Sequence, residues 1–467
     1  MNHVNKERIK SIILIVLFVI SLIQVGILWT NQSHRLPFSF LGAIFGSRQL
    51  QVSDEMTREE LFIPYRLVIS NGDSAHWIPD RKSQIYKPLW DEVKTYLADV
   101  VNGNISPSAD SQETWGETTS KRGFTFEFKM GIRPDLLKWF LGNSSSTVDI
   151  PTVYKIMVIP ENNNDSQNTL YIYDANNRVY KYLTKGFVRE KSFADILSVF
   201  ENDNKGTYRE FITMHDSNLE SKLNIGPDVL YVNTHPVFWP YGIISCSIPG
   251  NVSNMNELAE TILGNEKERY SPSKYNDGTI HFSNRENLYK IYPEGILEYK
   301  YLSSTDTSGR EGIGPALLNA YGLIKKVVSL TNTKADIYLA GIEPLESGNY
   351  RFDFDYMING QPVHIDLTSV SSEGTAVQNA IIIEANSEKV ISSRIIIRDF
   401  AVSGEKNYND RFFDIKFDST FKKDQLKLRD IGVGYVIDTV DEKLLEPYMV
   451  LENKGTPKLI IEKMPEQ

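Results

Sequence analysis

"NYRFDFDYMINGQPVHIDL", Asn349–Leu367, decides how this chain folds. Phe352, Phe354 and Tyr356 alternate with Asp353 and Asp355, the period-two pattern of a strand with one greasy and one polar face. The Asn359–Gly360 step interrupts the run, and a second alternating run follows it. An Asn-Gly pair between two such runs is a strong signal for a two-residue hairpin, so the stretch predicts antiparallel sheet. Asp353 and Asp355 have the spacing of paired acids or cation ligands, but alternation alone assigns them to the solvated face of the strand.

The same pattern extends outward in both directions. Ala380–Phe400 reads as a hairpin turning around Asn386–Lys389, and Asn287–Tyr299 as one turning at Pro293-Glu294-Gly295. Tyr65–Ser70, Gly123–Met130, Val153–Pro160, Thr169–Asp174, Asp228–Asn233 and Gly242–Pro249 read as strands. Helical spacing appears in Tyr86–Val101, with Leu89, Val93, Tyr96, Leu97 and Val100 on one face. It recurs from Ile313, with Leu317, Ala320, Tyr321, Ile324, Val327 and Val328. Arg133–Gly142 is a short helix closed by its glycine, Asn254–Gly264 another helix, and Ser192 with Asp195 forms a capping pattern before a further one. A helix and a last strand pair, Val433–Thr439 and Lys458–Met464, close the chain. The class is α+β, with mixed and antiparallel sheets and packed helices.

The N-terminus differs in kind. No charge falls between Lys10 and Arg35, and residues 12–29 are nearly all apolar. As a helix they span about 27 Å, close to the roughly 30 Å of a bilayer core. No A-x-A cleavage pattern follows, and Trp29 stands where an interfacial aromatic belongs, so a retained single-pass anchor is predicted rather than a signal peptide. Lys6, Arg8 and Lys10 against Glu7 place the tail in the cytoplasm and the bulk of the chain outside. The expected organisation is a cytoplasmic tail (1–11), a transmembrane helix (12–30), a linker (31–60), an N-terminal α+β domain (61–188), a middle α+β domain (189–303) and a C-terminal α+β domain (304–467). Within the membrane helix Leu17, Ser21, Gln24 and Leu28 share one face. Gln24 either hydrogen-bonds to a partner helix or snorkels outward.

Composition narrows the function. A net charge of −10, reached despite the basic tail, disfavours a nucleic-acid partner. One cysteine, Cys246, excludes an intrachain disulfide and is expected to fill a strand position. The seven histidines show no metal-ligand spacing, and no G-x-S-x-G or S-x-x-K motif supports a nucleophile. The glycines of "EGIGP", Glu311–Pro315, lack the rest of a dinucleotide fingerprint. No catalytic residue, metal or cofactor is therefore expected. "HPVFWPYG", His235–Gly242, concentrates aromatics either as a carbohydrate or peptide groove or as a rigid packed connection.

Five blocks carry a resemblance to a known family: Glu7–Trp29, Arg58–Trp77, Tyr292–Tyr299, Tyr350–Ile365 and Asp430–Glu452. Together they resemble the YycH (WalH) family of two-component-system regulators of low-GC Gram-positive bacteria, over nearly the whole chain. The C-terminal third also resembles the related protein YycI. The resemblance implies a non-enzymatic membrane protein that modulates the WalK (YycG) sensor histidine kinase of cell-wall homeostasis through its membrane helix, with a YycI-like partner. It favours restraint of the kinase. Leu17, Ser21, Gln24 and Leu28 are then the helix-contact residues. The competing class is an exported peptidoglycan-binding module using His235–Gly242.

Overall fold

Antiparallel strands with one aromatic face dominate the structure, as the alternating runs require. The computed structural model describes residues 54–464 and 466, apart from 74, 109–112, 161–166, 175, 186–189, 204–206, 220–224, 233–237, 304–311, 366–378, 410–427, 438–443 and 454–458. Residues 51–467 form one compact unit.

The first sheet has eight strands: β1 (Arg66–Ser70), β2 (His76–Trp77), β3 (Gly123–Ile132), β4 (Val153–Ile159), β5 (Gln167–Tyr173), β6 (Val179–Lys185), β7 (Glu210–Thr213) and β8 (Leu230–Val232). Their spatial order is β6-β5-β4-β3-β1-β2-β7-β8, antiparallel throughout. Helix α1 (Asp54–Leu61) precedes this sheet, while α2 (Tyr86–Asn102), α3 (Trp115–Thr119), α4 (Pro134–Phe140) and α5 (Glu190–Glu201) are interspersed with its strands. On β3 the rings of Phe124, Phe126 and Phe128 point to one face, where Trp90 of α2 lies 5.1 Å from Phe126 and 5.8 Å from Phe128. The predicted face of α2 is buried, and the helix stops at Gly103, whose φ of 73° is the left-handed conformation that glycine adopts without penalty.

Strand β9 (Phe238–Ser247) opens a second region that also holds α6 (Met255–Leu263), capped by Asn254. Then come β10 (Ser271–Lys274), β11 (Ile280–Ser283), β12 (Asn287–Tyr292), β13 (Ile296–Tyr301), α7 (Ile313–Val328), β14 (Asp336–Pro344), β15 (Tyr350–Ile358), β16 (Gln361–Ile365), β17 (Ile381–Ala385) and β18 (Val390–Ile396). The chain continues through β19 (Asp399–Asn409), β20 (Leu428–Ile437), β21 (Leu444–Leu445), β22 (Pro447–Asn453) and β23 (Leu459–Lys463). Twelve of these strands make the second sheet, in the order β10-β11-β12-β13-β18-β17-β15-β16-β20-β22-β23 with β14 also paired to β15. Its strands pair antiparallel except β16 with β20. Strands β19, β9 and β21 form the third sheet. Residues 189–303 thus supply strands to all three.

Each predicted hairpin forms. Asn359 and Gly360 both have positive φ, 49° and 76°, as a two-residue turn of the primed type demands. The side chain of Asn386 accepts hydrogen bonds from the N–H groups of Glu388 and Lys389, closing the β17–β18 turn. Phe352 and Phe354 are fully buried on the face that α7 covers. Cys246 is a buried strand residue of β9.

Two local expectations fail for identifiable reasons. Helix α5 begins at Glu190, so Ser192 lies inside it and does not cap it; a Ser-x-x-Asp spacing does not by itself fix the first turn. The two terminal strands are not a pair, because β22 intervenes and bonds to both. Residues 448–451 are a continuous apolar run, Tyr-Met-Val-Leu, that marks a strand without saying which neighbour it pairs with. Among the described residues no α-helix follows α7, and no helix is long and apolar enough to cross a membrane. The predicted transmembrane segment, 12–30, lies outside the described residues.

Helices α4 and α7 meet where Gly314 faces the indole of Trp139, so closely that a β-carbon would overlap the ring. Gly314→Ala should cost about 1–3 kcal/mol by overpacking. Thermal denaturation checks this as a lowered Tm.

Candidate functional site

The polar face of β3 carries Glu127, and the strand register places charges beside it on both sides. Glu127 is directly opposite Arg66 on β1 and Lys155 on β4. Arg66 Nε donates to one carboxylate oxygen, and Lys155 Nζ to the other at 3.0 Å. Lys155 also pairs with Asp228, which accepts a hydrogen bond from Trp115 Nε1 at 2.9 Å. A ladder of alternating charge therefore crosses the first sheet.

The ladder continues into the second sheet. Asp430 of β20 and Glu452 of β22 stand directly opposite each other, an arrangement in which two carboxylates repel. The first sheet supplies a cation to each: Arg66 Nη2 lies 3.3 Å from Asp430, and Lys129 of β3 pairs with Glu452. Arg429 Nη2 donates to the carbonyl of Lys129 at 2.6 Å. The Lys129 ammonium also sits 4.7 Å above the ring of Tyr65, which packs 5.5 Å from Tyr338 of β14.

Burial opposes ionisation of Glu127, yet the charges of Arg66 and Lys155 outweigh it and hold the carboxyl down at about 2. The cations respond in kind. Burial lowers the pKa of Arg66 and Lys155, but the acids around them, led by Asp430 and Asp228 respectively, raise both above their ordinary values.

This closure overturns the solvated-face reading of "RFDFDYM". Asp355 is 7% exposed, because its strand partner Tyr338 packs against Tyr65 over that face of β15. Its carboxylate accepts the N–H of Ala380 at 2.8 Å, but among the described residues no lysine or arginine pairs with it. Burial raises it to about 7, against the opposing effects of that hydrogen bond and of Lys129. Asp353 is half-buried and accepts from Arg351 Nε at 2.9 Å. Burial, helped by the charge of Lys129, pushes His364 of β16 down to about 3 and keeps it neutral.

A second buried cluster joins β2 to β7. Asp216 accepts from Thr213 Oγ1 at 2.7 Å and from Ser120, with His76 Nε2 3.0 Å away. Burial would raise this carboxyl; the hydrogen bonds of His76, Ser120 and Thr213 bring it down to about 2. The serine hydroxyl is directed at the carboxylate rather than the imidazole, so the set knots three segments together and does not have the relay geometry of a nucleophile.

In "HPVFWPYG", positions 235–237 lie outside the described residues, and Phe238–Gly242 begin β9. The Arg209 guanidinium lies 5.1 Å from the ring of Phe211, 5.3 Å from Trp239 and 5.7 Å from Tyr241, and it also donates to the Tyr241 hydroxyl. This side chain covers one face of Trp239 and of Tyr241, while Phe238 stays 37% exposed. Leu17, Ser21, Gln24 and Leu28, together with the topology-setting Lys6, Arg8 and Lys10, lie outside the described residues.

Sequence pattern alone did not single out the seam residues. Arg58–Trp77, Tyr350–Ile365 and Asp430–Glu452, three of the blocks that carry the family resemblance, contain Tyr65, Arg66, Asp355, His364, Asp430 and Glu452. That convergence was the available signal.

The architecture defined by these sheets is an α+β body of large antiparallel sheets joined by a buried ionic seam. It is YycH-like: the structure is similar to the crystal structure of YycH from Bacillus subtilis with a TM-score of 0.54, at 12% sequence identity, covering 86% of this chain and 96% of that one. An uncharacterized protein from Eubacterium rectale aligns with a TM-score of 0.30 at 11% identity, over 52% of this chain and 86% of that one, a score too low to bear on the fold. No family model matches the sequence, and no curated protein matches it.

Removing the charge of Glu127 costs Arg66 and Lys155 the acid they share but leaves them Asp430 and Asp228, so Glu127→Gln should cost about 1–3 kcal/mol in chemical denaturation at neutral pH. Because the folded pKa lies below the ordinary 4.5, this stabilisation is present above that value and disappears as the pH falls towards about 2. Asp355 has the opposite sign: raised from 3.8 to about 7, it favours the folded state at low pH and opposes it as the pH rises through that interval. Asp355→Asn should therefore match wild type near pH 4 and exceed it near pH 8, by on the order of a few kcal/mol. Measuring the difference between variant and wild type at each pH cancels the contribution of His364, which runs the other way.

Proposed function

We propose that this chain is a membrane-anchored, non-enzymatic regulator of a WalK/YycG-type sensor histidine kinase. The observation that carries the reading is the YycH-like fold, which extends over 86% of the chain. The family resemblance of the sequence blocks and the apolar N-terminal segment favour the same conclusion. On this reading residues 12–30 cross the membrane with the tail inside, the sheets lie outside, and a YycI-like protein docks on them. The kinase is restrained through the face of Leu17, Ser21, Gln24 and Leu28. Regulation of this kind requires unequal affinity for the two kinase states, since equal affinity shifts nothing.

Gln24 is the most polar member of that face, and an interhelical hydrogen bond in lipid contributes roughly 0.6–2 kcal/mol. Gln24→Leu should thus weaken co-purification with the kinase by about 3- to 30-fold and raise kinase-dependent reporter output at unchanged protein level. Unchanged association and output would refute the contact face. The peptidoglycan reading loses support from the placement of Arg209; retention of the protein on purified sacculi without kinase association would restore it.

A further inference from the structure

Helix α1 is held to the body by few apolar contacts. It has eight residues, fewer than the roughly 12 at which an isolated helix becomes even marginal in water. Only Thr57 and Leu61 are buried, and Met56 is 48% exposed. Its hold is mainly polar. The Glu60 carboxylate accepts the Tyr321 hydroxyl at 2.6 Å and pairs with Lys325 Nζ at 2.6 Å, both from α7. Arg58 lies 5.9 Å over the Trp139 ring and donates to that residue's carbonyl at 3.4 Å.

Alongside the helix runs a cleft of about 410 Å³, lined by Phe62, Phe140 and Leu141 and by the charged Glu55, Glu59 and Lys94. The helix flanks this space rather than filling it. Immediately afterwards the chain becomes tightly held: Phe62 stacks 4.7 Å from Phe140 and meets Trp90 edge-on at 5.0 Å. Its carbonyl accepts from Trp90 Nε1 at 2.9 Å, and that of Pro64 accepts from Tyr86 Oη at 2.7 Å.

We propose that α1 is a strap that releases as a unit about Leu61–Phe62, with Glu60 as its latch on α7, and that release uncovers the apolar wall of the cleft. Segments with few buried apolar contacts open at the low end of the local-stability range, while sheet strands open near the global limit. The proposal does not depend on the identity of any partner.

Amide hydrogen exchange on the full-length protein in detergent micelles tests it. In the wild type, α1 should exchange at least about 100-fold faster than β1 and β3. Glu60→Ala, which removes a charge-assisted contact, should speed α1 by about tenfold or more and leave β1 unchanged. Equal protection of α1 and β1, or a rise in β1 and β3 exchange in step with α1, would overturn the proposal. If E60A does not fold, Tyr321→Phe deletes only the hydroxyl donor and should still speed α1 severalfold; no change in α1 would overturn the latch. Thiol labelling at Leu141→Cys, with Cys246 buried, should accelerate in the same variants, and a constant rate would disprove exposure of the cleft.

Discussion

Asp430 and Glu452 face each other across two paired strands, and neither would be tolerated there without the cations that the first sheet brings to them. The two large sheets therefore meet through mutual need. Arg66 and Lys129 would be half-buried charges without those acids, and the acids would be a repelling pair without Arg66 and Lys129. Because Arg66 also binds Glu127, which binds Lys155, the requirement spreads laterally through β1, β3 and β4 to Asp228.

Such a seam is a poor source of net stability, since desolvation cancels much of the attraction between buried ions. Stability comes instead from the continuous apolar core that includes Trp90, Phe126, Leu317 and Phe354. The seam contributes direction. An apolar contact between two large sheets would accept many rotations and offsets, whereas six acids and bases at fixed strand positions accept one. Asp355 and His364 stand beside this arrangement, and burial disfavours the charged form of each.

Local structure was legible because it depends on neighbours in the chain. The Asn359–Gly360 turn, the Pro293–Gly295 turn and the buried faces of α2 and α7 all follow from patterns a few residues long. What escaped was set by distance. Asp355 alternates with Phe354 and Tyr356 as a solvated residue would, and only the arrival of Tyr65 and Tyr338 makes its face an interior. Glu127 and Lys129 have the same ambiguity in "GFTFEFKM": a charge on the polar face of a strand reads alike whether it meets water or another charge. The intervening β22 shows the same limit for pairing, because an apolar run identifies a strand and says nothing of its neighbours. At His235–Gly242 the aromatic cluster was visible in the sequence, but the arginine that occupies it was not.

Strand β9 hydrogen-bonds to β19, and Ser403 reaches back to the carbonyl of Ile243 across 160 residues; Arg66 waits 364 residues for Asp430. A chain emerging from its N-terminus thus completes most of its first sheet long before the rest exists. Strand β9 has no sheet partner until β19 has been made. Contacts of such long loop closure are slow to form, so the joining of the first sheet to the second through Arg66 and Asp430, the longer of these separations, should be the late event in the birth of the molecule.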